Sequence, residues 1–84
     1  MRERHADKIR HIGLRIAYFR KMRTLTQEAL AQQIHINKYY LSQIETGTSN
    51  KTISLPLLID ISEVLDIKLS SLVNLDDMNE VGDP

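Results

Sequence analysis

Apolar residues recur at three- and four-residue steps along most of the chain, which is the spacing of one face of an α-helix. The first such run predicts a helix over residues 8–23 with Asp7 as its N-cap. Its predicted buried stripe consists of Ile9, Ile12, Ile16 and Phe19. No stretch of usable length alternates between apolar and polar residues as a strand does. The pattern therefore predicts an all-α fold.

Residues that cap helix N-termini separate the later runs. Thr26 can cap a second helix over residues 27–34, and Asn37 a third that reaches about Thr46, where Gly47 ends it. Ser54 can cap a fourth helix, and a short fifth spans about residues 69–73. The sequence thus predicts a compact five-helix domain with one core. The predicted core residues of the last four helices are Leu30, Ala31, Ile34, Leu41, Ile44, Leu58, Ile61, Leu65 and Leu72.

Only two or three residues join the second helix to the third, so these two helices must cross steeply. Such a crossing needs a small side chain where the helices meet, and Ala31 supplies it. The same spacing also occurs at an ordinary corner between two helices of a bundle. The helix–turn–helix arrangement alone therefore does not assign a function.

Length and composition narrow the class of protein. Eighty-four residues suffice for one small domain, and the absence of cysteine excludes disulfides, thiol catalysis and cysteine-ligated metal sites. No apolar run is long enough to span a membrane, and the charged N-terminus does not resemble a secretory signal. We therefore expect a soluble, cytoplasmic protein without a membrane partner. Its predicted parts are a basic arm (residues 1–7), a helical domain (8–74) and an acidic, flexible tail (75–84).

The net charge of zero conceals a strong separation of charge along the chain. Residues 1–24 carry eight basic and two acidic side chains, whereas residues 53–84 carry one basic and seven acidic ones. A polyanion responds to a local basic patch and not to the average charge. Solvated helix faces would explain the same counts, and the basic arm is compatible with either a DNA contact or a merely solubilising role.

The third helix presents an unusual outward face. With Leu41 and Ile44 turned inward, Tyr39 and Thr46 point away from the core. Ser42 and Gln43 lie beside them, Lys38 lies at the flank, and no carboxylate falls on this side. Glutamine can pair with adenine and lysine with guanine in a major groove, and a tyrosine can contact a thymine methyl group or a phosphate. The face therefore has the chemistry of a DNA-binding surface.

The run IGLRIAYFRKMRTLTQEALAQQIHINKYYLSQIETG (residues 12–47) resembles the Cro and phage-repressor type of helix-turn-helix, the XRE family of DNA-binding domains. The run SLPLLIDISEVLDIKLSSLV (54–73) is similar to that family's fourth and fifth helices. The motif is carried by a Thr-Gln-x-x-Leu-Ala entry and a Leu-Ser-x-Ile-Glu-x-Gly exit. The resemblance implies a repressor-like DNA-binding domain in which the second and third helices form the helix-turn-helix.

The resemblance also implies roles for individual residues. Gln27 matches a phosphate-binding position at the start of the second helix, and Arg20 with Glu45 matches an ion pair between the first and third helices. Three family positions that often hold a helix-ending glycine are occupied here by Thr24, His35 and Asp66. Because a β-branched residue adopts positive φ poorly, we expect the first helix to end differently or to extend near Thr24. The implied DNA-binding residues are Gln27, Lys38, Tyr39, Ser42, Gln43, Thr46, Asn50 and Lys51, of which Lys38, Tyr39 and Gln43 match base-reading positions.

The function expected from this resemblance is that of a small transcriptional regulator. A repressor that binds an inverted repeat as a homodimer fits best, because one recognition helix reads only a few base pairs. An antitoxin or adaptor whose main partner is another protein is the alternative. The sequence shows no catalytic constellation, and it predicts no cofactor and no metal site.

Overall fold

The structure, a computed structural model, describes residues 2–49 and 53–74, and within these ranges the chain forms five α-helices and no strand. The prediction of an all-α, five-helix fold is confirmed. The predicted acidic tail lies outside the described residues. The helices are α1 (Arg2–Met22), α2 (Gln27–Gln33), α3 (Lys38–Thr46), α4 (Leu55–Leu65) and α5 (Leu69–Val73).

The predicted start of the first helix is wrong. Helix α1 begins at Arg2, so Asp7 lies within it and not at its N-cap, and the helix includes residues 2–7 of the predicted arm. The Asp7 carboxylate contacts the Arg10 guanidinium at 3.4 Å, one turn further on. Nothing in the first six residues interrupts a helix, because the segment contains neither glycine nor proline. The helix therefore continues past the residue that sequence reasoning took for its cap.

The three other predicted N-caps are confirmed. The Thr26 side chain accepts from the Ala29 amide at 3.0 Å, and the Asn37 side chain accepts from the Tyr40 amide at 2.7 Å. The Ser54 hydroxyl accepts from the Leu57 amide at 3.1 Å. Each bond satisfies an amide that the first helical turn leaves without a backbone partner, so α2, α3 and α4 begin where their local sequence requires.

Helices α1 to α4 all end in the same way. At each C-terminus one residue adopts the left-handed conformation: Thr24 (φ 57°), His35 (φ 61°), Gly47 (φ 74°) and Asp66 (φ 57°). The next amide then donates to a carbonyl five residues earlier, as Leu25 does to Arg20 at 3.1 Å, which is the Schellman arrangement. The expectation that α1 would end differently because of Thr24 is wrong. The glycine at the end of α3 is confirmed as a helix terminator.

Replacing Thr24 by glycine is expected to stabilise the domain by about 1 kcal/mol. A β-branched residue in the left-handed region is strained, and the relief exceeds the entropic cost of the added glycine. Urea denaturation of the Thr24→Gly variant tests this, with Thr48→Gly as the control, since Thr48 does not have positive φ. An equal gain in the free energy of unfolding from Thr48→Gly and Thr24→Gly would contradict the claim that Thr24 is strained.

The core lies between α1 and the four shorter helices. Helix α1 packs against α3, α4 and α5, and α2 packs against α3 and α4. All nine core residues predicted for the last four helices are buried, together with Ile16 of α1. Ile12 and Phe19 are partly buried against this cluster. The placement of Ile9 in the buried stripe is wrong, because this side chain is exposed on an N-terminal part of α1 that projects beyond the core.

Candidate nucleic-acid interface

The position of helix α3 is set by the turn and cap at its start and by the burial of its inner face. The Asn37 cap starts it four residues after α2 ends, and His35 in the left-handed conformation turns the chain between the two helices. Leu41 and Ile44 anchor its inner face in the core. The opposite face of α3 is consequently held toward solvent at a fixed angle.

The outward face of α3 brings together most of the residues predicted to bind DNA. Lys38, Tyr39 and Thr46 are exposed, Tyr39 by 74%, while Ser42 and Gln43 are half-buried. A shallow depression between the starts of α2 and α3 is lined by Gln27, Asn37, Lys38, Tyr39 and Ser42. Gln43 and Thr46 lie further along α3, outside this depression. Asn50 and Lys51, the two predicted loop contacts, lie outside the described residues.

The hydroxyl of Thr46 faces its own helix. It lies 3.0 Å from the carbonyl oxygen of Ser42 and 3.3 Å from that of Gln43, and it also contacts the Thr48 hydroxyl at 2.9 Å. These contacts tie the end of α3 to the loop that follows. Sequence reasoning did not single out Thr48, which follows the helix-ending glycine and carries a second hydroxyl at this end of α3.

A buried ion pair joins α1 to α3. The Nε of Arg20 donates to Glu45 Oε2 at 2.7 Å, and a second guanidinium nitrogen, Nη2, donates to Glu45 Oε1 at 3.1 Å. The remaining nitrogen, Nη1, donates to the carbonyl of Leu25 at 2.8 Å. Arg20 is only 8% exposed and Glu45 only 5%. The ion pair implied by the family resemblance is therefore present, and its burial makes it a stronger constraint on α3 than a surface pair would be.

Gln27 completes this network from the start of α2. Its side-chain Nε2 donates to Glu45 Oε1 at 2.9 Å, so the amide is held by the same carboxylate that binds Arg20. Gln27 is half-buried and also lines the depression in front of α3. A single carboxylate thus links α1, α2 and α3. The resemblance implied the phosphate-binding role of Gln27 but did not indicate its bond to Glu45.

Sequence reasoning missed Gly13, which sets how closely α1 and α3 approach. A Cβ atom at this position would lie 2.2 Å from the Ile44 carbonyl oxygen and 2.9 Å from that of Glu45. Both oxygens belong to the backbone of α3, which cannot rotate aside as a side chain could. An isolated glycine within a helical run was the available signal, since it is retained there mainly for close packing.

Two arginines of α1, Arg15 and Arg20, and Arg23 in the turn after α1 bond to groups of other elements. Besides Arg20, Arg15 donates from Nε to the carbonyl of Ser71 in α5. Arg23 donates to the carbonyls of Leu65 and Asp66 at 2.7 and 3.1 Å, where α4 ends. A cation at a helix C-terminus is favourable because the last carbonyls carry partial negative charge. The basic count of the N-terminal third therefore overstates the charge that is free to meet a polyanion.

Other site types have no support in the described part of the chain. No three histidine, aspartate or glutamate side chains within residues 5–49 and 53–74 come together in a way that would hold a metal ion. Among the described helices, none is long and apolar enough to cross a bilayer.

Comparison with known families supports the geometry of α2 and α3. A family model described as Helix-turn-helix matches residues 16–72, which is more than half of the chain. The chain belongs to the XRE-type helix-turn-helix family. The α2–turn–α3 unit is its helix-turn-helix, and the protein is a DNA-binding transcriptional regulator. No curated protein sequence matches the chain significantly.

Solved structures share this helical fold. The restriction-modification controller protein C.AhdI from Aeromonas hydrophila superposes with a TM-score of 0.74 at 26% identity, covering 81% of this chain and 96% of that one. The clp gene regulator ClgR from Corynebacterium glutamicum superposes with a TM-score of 0.73 at 22% identity, covering 88% of this chain and 84% of that one. Their names describe regulators, and the second likeness concerns the fold alone. The repressor-like architecture predicted from sequence is confirmed.

Proposed function

We propose that this helix-turn-helix protein is a repressor that binds an inverted repeat in double-stranded DNA as a homodimer. The observation that carries the proposal is the outward face of α3, where Lys38, Tyr39 and Gln43 stand on a helix locked to α1 by the buried Arg20–Glu45 pair. A reading helix must hold its side chains in a fixed register against base edges, and this network supplies that rigidity.

Each residue of the face has a distinct proposed task. Gln43 pairs through its amide with an adenine, Lys38 donates to a guanine, and Tyr39 contacts a thymine methyl group or a phosphate. Ser42 and Thr46 contact the duplex nearer its sugar–phosphate backbone. Gln27, Asn50 and Lys51 hold phosphates that fix the protein on the duplex. The bond from Gln27 to Glu45 supports this role, because it orients the amide before any phosphate arrives.

The proposed dimer follows from the small number of bases that one recognition helix reaches. Two half-sites about one helical turn apart double the sequence that is read. The candidate apolar contacts are Leu69, Val73 and Leu75; of these, Val73 is exposed, Leu69 is half-buried and Leu75 lies outside the described residues. Leu72 belongs to the protein's own core and is excluded from the contact. Repression is proposed over activation because occupancy of a promoter suffices for it.

Replacing Gln43 by alanine is expected to weaken binding to the cognate duplex by about 1–3 kcal/mol and to relax discrimination at one base position. The reason is the loss of a bidentate contact to a base edge. Equilibrium titration of duplexes that differ at single positions measures both effects. Gln33→Ala is the matched control, since Gln33 is exposed on α2 and does not lie on the face of α3. An equal loss on every sequence would assign Gln43 to the DNA backbone instead.

The homodimer is tested by stoichiometry. Native mass spectrometry of the protein with duplexes carrying one or two half-sites should show two chains on the two-site duplex, bound more tightly than two independent single-site events. Independent binding of one chain to each half-site would contradict a dimer. A protein that binds no duplex at all but captures another protein would favour the antitoxin or adaptor alternative.

A further inference from the structure

Helix α1 carries a stripe of exposed apolar side chains on the side that faces away from the core. Leu14, Tyr18 and Met22 follow one another at four-residue intervals, so they line one face of the helix, and each is more than half exposed. The Tyr18 ring packs edge-on against Phe19 of the same helix, with the ring centroids 5.1 Å apart. Such a continuous apolar stripe on a small domain marks a surface that another segment covers.

The borders of this α1 stripe are basic. Arg10 lies one turn before Leu14 and Lys21 lies one turn after Ala17, and both of these basic side chains are exposed. Residues 14–22 contain no acidic side chain, and Arg15 and Arg20 are already bonded to the Ser71 carbonyl and to Glu45, which leaves Lys21 as the exposed cation of this segment. An acidic segment with apolar residues would match both the stripe and its exposed cations.

The chain itself contains such a segment. The acidic tail, residues 75–84, has four acidic and no basic side chains. Its apolar residues Leu75, Met78 and Val81 recur every three positions, close to helical spacing. The apolar residues of the tail can therefore cover the α1 stripe, and its carboxylates carry the opposite charge to the basic side chains beside that stripe.

The helix that precedes the tail packs against the helix that carries the stripe. Helix α5 lies against α1, and Arg15, the neighbour of Leu14, donates to the carbonyl of Ser71. The tail starts four residues after Ser71. From Leu14 to Met22 the helix rises only about 12 Å, whereas ten residues reach about 15 Å as a helix and about 33 Å when extended. The tail is long enough to follow the whole stripe.

We propose that the acidic tail docks along the α1 stripe of its own chain. Leu75, Met78 and Val81 cover Leu14, Tyr18 and Met22, and the tail carboxylates face Arg10 and Lys21. The contact covers an apolar surface of the domain and neutralises basic side chains of α1. In this proposal the tail binds its own domain, whereas its composition alone led us to expect a flexible segment.

Paramagnetic relaxation provides the test. Because the chain has no cysteine, Asn79→Cys creates one attachment site for a nitroxide on the full-length protein. The proposal predicts a loss of amide peak intensity along Leu14–Met22 that disappears when the label is reduced. Unchanged intensities along α1 would overturn it.

Two controls make the outcome specific. Adding Leu14→Glu to the labelled protein should abolish the effect, because a carboxylate would then face the acidic tail. Leu55→Glu, the same change at a leucine of nearly equal exposure on α4 (58% against 56%), should preserve it. Mixing spin-labelled protein with isotope-labelled protein that carries no spin label should leave α1 unaffected. Broadening in this mixture would show that the tail of a second copy occupies the stripe and would overturn docking within one chain.

Discussion

Replacing Glu45 by alanine is expected to destabilise the domain by about 3–5 kcal/mol, a large part of the stability of a protein of this size. The Arg20 guanidinium would stay buried after losing both bonds to Glu45, and Gln27 would lose its acceptor. Removal of one partner of a buried pair costs far more than the pair contributes, because the other charge remains without compensation. Urea denaturation followed by circular dichroism measures the loss.

Two further variants separate this effect from a general sensitivity to substitution. Glu63→Ala removes an exposed glutamate from α4 and is expected to change the stability by no more than about 0.5 kcal/mol. Replacing both partners, by Arg20→Met with Glu45→Leu, should destabilise less than Glu45→Ala, because no buried charge remains. A cost below about 1 kcal/mol for Glu45→Ala would mean that solvent reaches the pair and that α3 is not locked by it.

Replacing Gly13 by valine is the second change with a large expected effect, about 3 kcal/mol or more. The new Cβ would lie 2.2 Å from the Ile44 carbonyl oxygen, where ordinary contacts start near 3.4 Å, so α3 must move away from α1. The shift would also distort the Arg20–Glu45 pair, because Glu45 is the next residue on α3. We expect lower stability and, at temperatures where the variant is still folded, weaker DNA binding.

Gly13→Ala tests the same contact, because helix propensity alone favours alanine whereas the close approach of α3 opposes it. At an exposed position in the middle of α1, such as Lys8, alanine should be more stable than glycine by about 1 kcal/mol. At position 13 the order should reverse, because the methyl group meets the backbone of α3. A Gly13→Ala variant more stable than the parent would contradict the close approach of the two helices.

The sequence predicts the parts of this fold that depend on local chemistry. Thr26, Asn37 and Ser54 cap their helices through oxygen atoms only three residues from the amides they bind, so their roles are visible in a short window. The core positions of α2 to α5 follow from helical spacing alone. The prediction for α1 is less accurate at both ends. Asp7 lies within the helix and is not its N-cap, and Thr24 adopts the left-handed conformation that sequence reasoning did not expect of it.

The features that sequence reasoning missed depend on the three-dimensional arrangement. Thr24 adopts positive φ because the Schellman bond of Leu25 and the bond from Arg20 to the Leu25 carbonyl close the turn, which outweighs the preference of threonine. Whether Arg15 and Arg23 bond to backbone carbonyls depends on where α5 and the end of α4 lie, which a charge count cannot show. The base-reading roles of Lys38, Tyr39 and Gln43 stay predictions.

The most direct test of sequence-specific DNA binding is selection of randomised duplexes by the full-length protein at about 0.15 M salt, followed by sequencing of the bound fraction. The proposal predicts enrichment of an inverted repeat whose half-sites lie about one helical turn, or about 10 base pairs, apart. A bound fraction with no enriched sequence would contradict sequence-specific recognition by α3, and enrichment of a single half-site would contradict the homodimer.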